Sequence, residues 1–175
     1  MEGFDRNNNS IACCFTGHRP EHLSWGHNEE HPACLDFCQR LTRAIEEMMQ
    51  MGCVNFYCGM AQGVDIYAAQ IVLGLREAYP EKGLKLIAVC PHANQAIRWG
   101  AKDKQLHQLL LNLADEVVII EQEYSPACFH RRNRYMVDRC NYVIAGYDGI
   151  SKGGTSSTVA YAKRKGKQIT IVPPV

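Results

Sequence analysis

The feature that most constrains this chain is a repeated alternation. Short apolar runs of strand length give way to amphipathic stretches of helix length, over and over, from Ile11 to the end of the chain. The apolar runs cover residues 11–15, 54–57, 84–89, 116–120, 142–145 and 168–172. Several are rich in β-branched or aromatic residues, as strands are. Between the first two, residues 32–51 carry Leu35, Cys38, Leu41, Ile45, Met48 and Met49 at three- and four-residue spacings, which make one helix face. Pro32 suits a first helical turn and Gly52 a helix stop. Residues 64–79 repeat the pattern through Ala68, Ile71, Val72 and Leu75, and Pro80 ends it. Stretches 101–113, 127–139 and 155–165 complete the helices.

Strands that alternate with helices pair in parallel through right-handed crossovers. The expected fold is therefore α/β: a three-layer, Rossmann-like, doubly wound, mostly parallel sheet with helices on both faces. No linker, repeat or low-complexity tract divides the chain. Residues 11–175 are expected to form a single domain, after a polar, frayed segment over residues 1–10. At 175 residues and 46% hydrophobic, such a chain buries a sizeable core without covalent staples.

Charge excludes some function classes. The formal net charge is +1, which argues against a strongly basic nucleic-acid binder. No apolar run approaches the ~18 residues of a membrane span. The N-terminal MEGFDRNNNS lacks the basic-then-apolar pattern of an export signal. The expected location is cytoplasmic. Nine cysteines are an odd number, and without export they are not read as a disulfide framework. Cys13, Cys14, Cys53 and Cys90 sit in or beside apolar runs, where free cysteine acts as a small hydrophobe.

In doubly wound sheets, ligands sit beyond the carboxyl ends of the strands. The loops there carry the signal. After the first strand comes Thr16-Gly17-His18-Arg19-Pro20, which offers a hydroxyl, a close backbone approach and two donors for an anionic oxygen. The same residues also read as a plain turn. After the second strand, Gly59-Met60-Ala61-Gln62-Gly63-Val64-Asp65 runs straight into a helix. Such a start makes a backbone amide cradle whose dipole favours an anion. It is neither a Walker A loop nor a GxGxxG fingerprint. Asp65 reads either as a capping residue in the first helical turn or as the partner of a ribose hydroxyl. After the fifth strand, residues 148–158 place Gly153, Gly154 and Thr155 at another helix start, rich in hydroxyls. Before that strand, Arg131, Arg132, Arg134 and Arg139 crowd one helix, with Arg132 and Met136 on one face and Arg131 and Arg134 offset from it. One or two of these arginines can face the crevice while the others face water.

Other groups read more plainly. His27, His31, Cys34 and Cys38 have the ligand types of a metal site, but their spacing matches no zinc signature, and no metal is expected. Cys58, beside Gly59, reads as a small filler or as a thiol activated by a helix start. Trp99, with Gln95 and Tyr124, either lines the crevice or packs from a helix face onto the sheet.

Several blocks carry a resemblance. CCFTGHRP, SWGHNEEHPAC, FYCGMAQGVDIYAA, CPHANQAIRW, RRNRYMVDRCNYVIAGYDG and KGGTSSTVAYAKRKGKQI stand in the order and spacing of the YpsA-related SLOG family, from about residue 11 onward. The wider superfamily includes the DNA-processing protein DprA (Smf) and the LOG-type phosphoribohydrolases. The resemblance implies a Rossmann-like fold and a nucleotide or nucleotide-derived ligand. It also implies a homodimer, since superfamily members often dimerise. LOG enzymes carry a glutamate in a PGGxGTxxE loop that takes part in N-glycosidic hydrolysis. Here the loop reads KGGTSSTVAYA, with no acidic residue at that point. Arg132 is similar to the LOG arginine that precedes its strand. The GMAQGVD block resembles the glycine block of DprA, without a basic stripe to hold DNA.

The sequence thus assigns Thr16, Gly17, His18, Arg19, Gly59, Ala61, Gly63, Asp65, Arg132, Arg134, Gly153, Gly154 and Thr155 to a ligand site. The expected ligand is a small nucleotide-type compound such as ADP-ribose, in a sensing or regulatory role, with no required cofactor. An N-glycosidic or phosphoribosyl hydrolase is the enzymatic alternative, with Asp65 or Asp148 as substitute carboxylate. Single-stranded DNA binding is the third, disfavoured by charge.

Overall fold

The computed structural model describes residues 10–150 and 152–174. Its elements follow in the order β1 (Ile11–Gly17), α1 (Pro32–Gln50), β2 (Cys53–Cys58), α2 (Val64–Ala78), β3 (Lys85–His92), α3 (Ala101–Leu113), β4 (Glu116–Glu121), α4 (Cys128–Arg139), β5 (Tyr142–Gly146), α5 (Gly154–Arg164) and β6 (Gln168–Ile171). Single 3-10 turns lie at Pro20–His22 and Pro80–Lys82. The frayed segment expected over residues 1–10 falls, apart from Ser10, outside the described residues.

All six strands pair in parallel, in the order β4-β3-β2-β1-β5-β6. From β1 to β4 the chain moves outward in one direction. It then returns through α4 to the other side of β1. A right-handed crossover in each direction puts α1–α3 on one face of the sheet and α4 and α5 on the other.

Strand alternation sorts the core accordingly. Cys13 and Phe15 of β1 join Phe56, Leu86 and Cys90 beneath Phe37, Leu41, Ile45 and Val72 of α1 and α2. Ala12 and Cys14 join Ile87, Val89 and Val143 beneath Met136, Val137 and Ala162 of α4 and α5. This three-layer Rossmann-like arrangement is the one the sequence pattern implies. The cysteines lie where the pattern puts them: all nine are free, and only Cys38 is less than buried. No described helix is long and apolar enough to cross a membrane.

Two strands run further than their apolar runs. β1 continues through Thr16 and Gly17, which pair with Ala145 and Gly146 of β5. The sequence reading put both residues in the loop. A Cβ on Gly17 would overlap the Val64 side chain, and one on Gly146 would lie 2.7 Å from Val64 Cγ2. The missing side chains let the first turn of α2 press down on both strand ends, so the ladder continues beneath it. β3 continues through Pro91 to His92, paired with β4 as far as Glu121. Elsewhere the element bounds differ from the sequence expectation by no more than one residue.

Candidate functional site

Strand order reverses between β1 and β5, so connections diverge there and leave a crevice at the carboxyl ends. A cavity of about 280 Å³ occupies it. Its walls come from four segments. The end of β1 and the turn after it give Thr16, Gly17, His18, Arg19 and His22. The loop before α2 and that helix's first turn give Ala61 and Asp65, and α4 gives Phe129, Arg132 and Asn133. Residues 152–156 close the cavity with the start of α5.

The floor is a buried charge network. Arg132 points inward and is 5% exposed, on the same face of α4 as Met136. Its Nη1 donates to the Gly59 carbonyl and lies 3.9 Å from Asp65 Oδ2, while its Nε donates to Asn133 Oδ1 at 2.7 Å. Gln95 Nε2 donates to the same Gly59 carbonyl at 3.0 Å. Asp65 Oδ2 also accepts the Ala61 N–H at 3.2 Å. Burial pushes the Asp65 carboxyl above its ordinary range, against the pull of Arg132. Burial likewise lowers the Arg132 guanidinium, against the pull of Asp65. Each group therefore holds its charge chiefly through the other. Asp65 holds the Ala61 N–H of the loop ahead of α2 rather than an N–H of the helix, and it lines the cavity.

Two glycines allow this geometry without lining the cavity. A Cβ on Gly59 would overlap the Arg132 guanidinium and lie 2.8 Å from Asp65 Oδ2. Gly63, at φ +88°, turns the chain into α2 with its α-carbon against the His18 carbonyl, where a Cβ would lie 2.5 Å away. That carbonyl accepts the Val64 N–H. The loop after β1 and the loop after β2 are thus joined by backbone.

Of the residues assigned from sequence, Thr16, Gly17, His18, Arg19, Ala61, Asp65, Arg132, Gly153, Gly154 and Thr155 line one cavity. Gly59 and Gly63 lie behind it. Arg134 does not reach it. Two positions C-terminal to Arg132, it faces outward into a separate groove on α4 and α5. His18 is buried, and its Nε2 lies 3.3 Å from the Asp148 backbone N and 3.4 Å from Asp148 Oδ1. It ties the loops after β1 and β5 together. Arg19 is an exposed cation at the mouth, as is Lys152, and its guanidinium lies 5.2 Å from the Phe129 ring centroid. The first N–H groups of α5 have no intrahelical partner, as at any helix start, and the residues that carry them line the cavity. Gly153 N–H is the exception, since it donates to Ser156 Oγ at 2.9 Å.

Sequence reasoning missed Phe15, His22, Phe129, Asn133, Lys152 and Ser156. Lys152 and Ser156 flank the assigned run Gly153-Gly154-Thr155 and were within reach. Phe129 stands one turn from both Arg132 and Asn133 on α4, at three- and four-residue spacings that a helical-wheel count gives.

The remaining candidates resolve differently. His31 is the N-cap of α1, its Nδ1 accepting the Ala33 N–H at 3.1 Å. Among the described residues, no three His, Cys, Asp or Glu side chains are grouped to hold a metal ion. Cys58 donates its thiol to the Asp65 carbonyl, and burial pushes that thiol far above its ordinary value. It packs as a filler. Trp99 lies in the turn before α3 rather than on a helix face, edge-on to His107. It shares a small side pocket with Gln95, Arg19 and Phe129, whereas Tyr124 stands apart, over His92.

Comparison with known proteins places this architecture. The model of the YspA SLOG family matches residues 13–172. The chain belongs to the YspA SLOG family. It is 32% identical to the SPbeta prophage-derived protein YoqJ of Bacillus subtilis (strain 168) over 148 residues, 77% of this chain and 85% of that protein. It is 27% identical to a UPF0398 protein of Bacillus thuringiensis (strain Al Hakam) over 154 residues, 87% of this chain and 82% of the relative. UPF0398 proteins of Bacillus cereus match to the same degree. In this member of the YspA SLOG family, the loop at the start of α5 brings no carboxylate to the cavity. Among the described residues lining it, Asp65 is the only acid.

Proposed function

We propose that the protein binds a nucleotide or nucleotide-derived sugar phosphate, ADP-ribose-like in character, in the cavity at the β1–β5 switch point, as a sensor or regulator. One observation carries this reading. An exposed Arg19, a Lys152 and the start of α5 border a single cavity whose only acid among the described residues is already engaged by Arg132. Excess positive potential and free backbone donors suit a phosphate group. Thr16 and Asn133 supply hydroxyl and amide contacts suited to a sugar. The Phe129 ring supplies a flat apolar face for a base.

Calorimetric titration with AMP, ADP, ADP-ribose and NAD tests it. Saturable binding of at least one compound is expected. Arg19→Ala should weaken that binding about tenfold, the worth of one charge-assisted hydrogen bond, with no change in thermal midpoint. Absence of saturable binding across the panel overturns the reading.

Asp65 favours a second reading, hydrolysis of an N-glycosidic bond. This residue is the one acid among the described lining residues, a carboxylate in place to stabilise the positive charge that develops on the sugar as a base departs. Release of free base from these nucleotides, abolished by Asp65→Asn, would establish turnover. Binding without release leaves the sensor.

A further inference from the structure

Arg134 belongs to a second groove, and its surroundings are unlike those of the other arginines on α4. Arg131 pairs with Glu121 at 2.7 Å. Arg132 is held by Gly59 and Asp65. Arg139 donates to the Tyr135 carbonyl. Arg134 has no such acceptor among the described residues. Across the groove, Arg164 of α5 has none either. Both guanidiniums stand over one ring, 5.3 Å and 5.6 Å from the centroid of Tyr161. A nearby acid, Asp138, is already taken by the Tyr161 hydroxyl at 2.9 Å and by Lys165 at 3.5 Å. Lys165 Nζ lies 5.4 Å from the same centroid, so three cations crowd this ring, and an anion in the groove offsets their mutual repulsion.

The groove has a volume of about 230 Å³. Besides the two arginines it offers His130 and Ser157 as donors. It also adjoins the main cavity. Asn133 lines both, and its Nδ2 donates to Thr158 Oγ1 at 2.9 Å, so one side chain forms the wall between them. With a rise of about 1.5 Å per residue, Tyr161 lies about 10 Å along α5 from Gly154.

We propose that this groove is a second anion subsite for the same ligand. It takes a phosphate carried about 10 Å from the one at the start of α5, on a phosphorylated dinucleotide-type compound, and holds it between the Arg134 and Arg164 guanidiniums. The inference rests on the nucleotide reading of the main cavity and narrows it. A pyrophosphate alone is too short to reach both places. A further phosphate on a ribose hydroxyl reaches the groove across Asn133.

The test compares ADP-ribose with ADP-ribose 2′-phosphate by calorimetry, in low salt and in high salt. The wild-type chain should bind the 2′-phosphorylated compound about tenfold tighter, with the preference shrinking as salt rises. Arg134→Ala combined with Arg164→Ala should abolish the preference and leave affinity for ADP-ribose within about twofold. Both side chains are exposed, so the thermal midpoint should hold. Arg131→Ala, which removes another exposed charge from the same helix, should keep the preference. Equal wild-type binding of the two compounds overturns the second subsite and leaves the nucleotide reading standing. Loss of the preference in Arg131→Ala does the same, since it makes the effect one of general charge. Failure of the wild-type chain to bind either compound overturns both.

Discussion

Replacing Arg132 with methionine removes the cation beneath the cavity and keeps an unbranched side chain in its place. Gly59 keeps one donor, Gln95 Nε2 at 3.0 Å, and Asp65 keeps the Ala61 N–H. What Asp65 loses is its counter-charge. At 3.9 Å, two unit charges in a medium of effective dielectric near 20 attract by about 4 kcal/mol. Removing one member of a buried pair is known to cost about 3–5 kcal/mol. The two figures agree, and they are a large part of the roughly 5–15 kcal/mol that holds a domain folded. With a urea dependence of about 2 kcal/mol per molar, the midpoint should fall by about 2 M.

Asp65→Asn in the same chain removes the stranded charge, so the double variant should regain most of the loss. pH gives a second signature. The folded-state pKa of Asp65 is raised, so the folded protein holds that proton more tightly than the unfolded chain does. Its contribution to stability is therefore greatest below the ordinary carboxylate range and falls as pH rises through the folded value. Without Arg132 the folded value rises further, and the deficit of Arg132→Met should be smaller at pH 4 than at pH 7. Urea unfolding followed by circular dichroism at both pH values reads all of this. A loss under about 1 kcal/mol at pH 7, or a double variant no more stable than the single one, refutes the buried-pair reasoning.

Other outcomes follow from the same geometry. Gly59→Ala should displace Arg132 and Asp65 together, destabilise the fold by about 1–3 kcal/mol as overpacking does, and abolish ligand binding in calorimetry. His31→Ala removes the side-chain acceptor at the start of α1 and should cost about 1 kcal/mol in urea unfolding. Burial pushes the thiols of Cys38 and Cys53 up to about 12 and that of Cys90 to about 11. An aromatic disulfide reagent at pH 8 should therefore label these cysteines slowly in the native protein and rapidly after unfolding; fast native labelling of Cys53 or Cys90 would contradict their burial.

The strand and helix alternation was legible because period and length are local. An apolar run of five residues and a three-to-four-residue stripe need no partner to be recognised. The glycine blocks were legible for a similar reason, since a helix start after a small-residue loop makes unpaired amides whatever lies opposite. The extension of β1 through Thr16 and Gly17 was not legible. It depends on Val64, more than forty residues later, coming down over Gly17 and Gly146.

Among the arginines of α4, sequence spacing could separate the Arg132 face from that of Arg134, but not say which face meets the cavity. That was decided by the return crossover, which lays α4 across the sheet with Arg132 over Gly59 and Arg134 toward α5. The chain alone thus determined the kinds of element, their order and the glycine-led helix starts of its loops, because these follow from local pattern. Tertiary structure alone decided that β1 and β5 become neighbours, that Asp65 and Arg132 neutralise each other, and that one cavity forms between loops distant in sequence. Those outcomes arise from contacts across the fold, which no single stretch of sequence encodes.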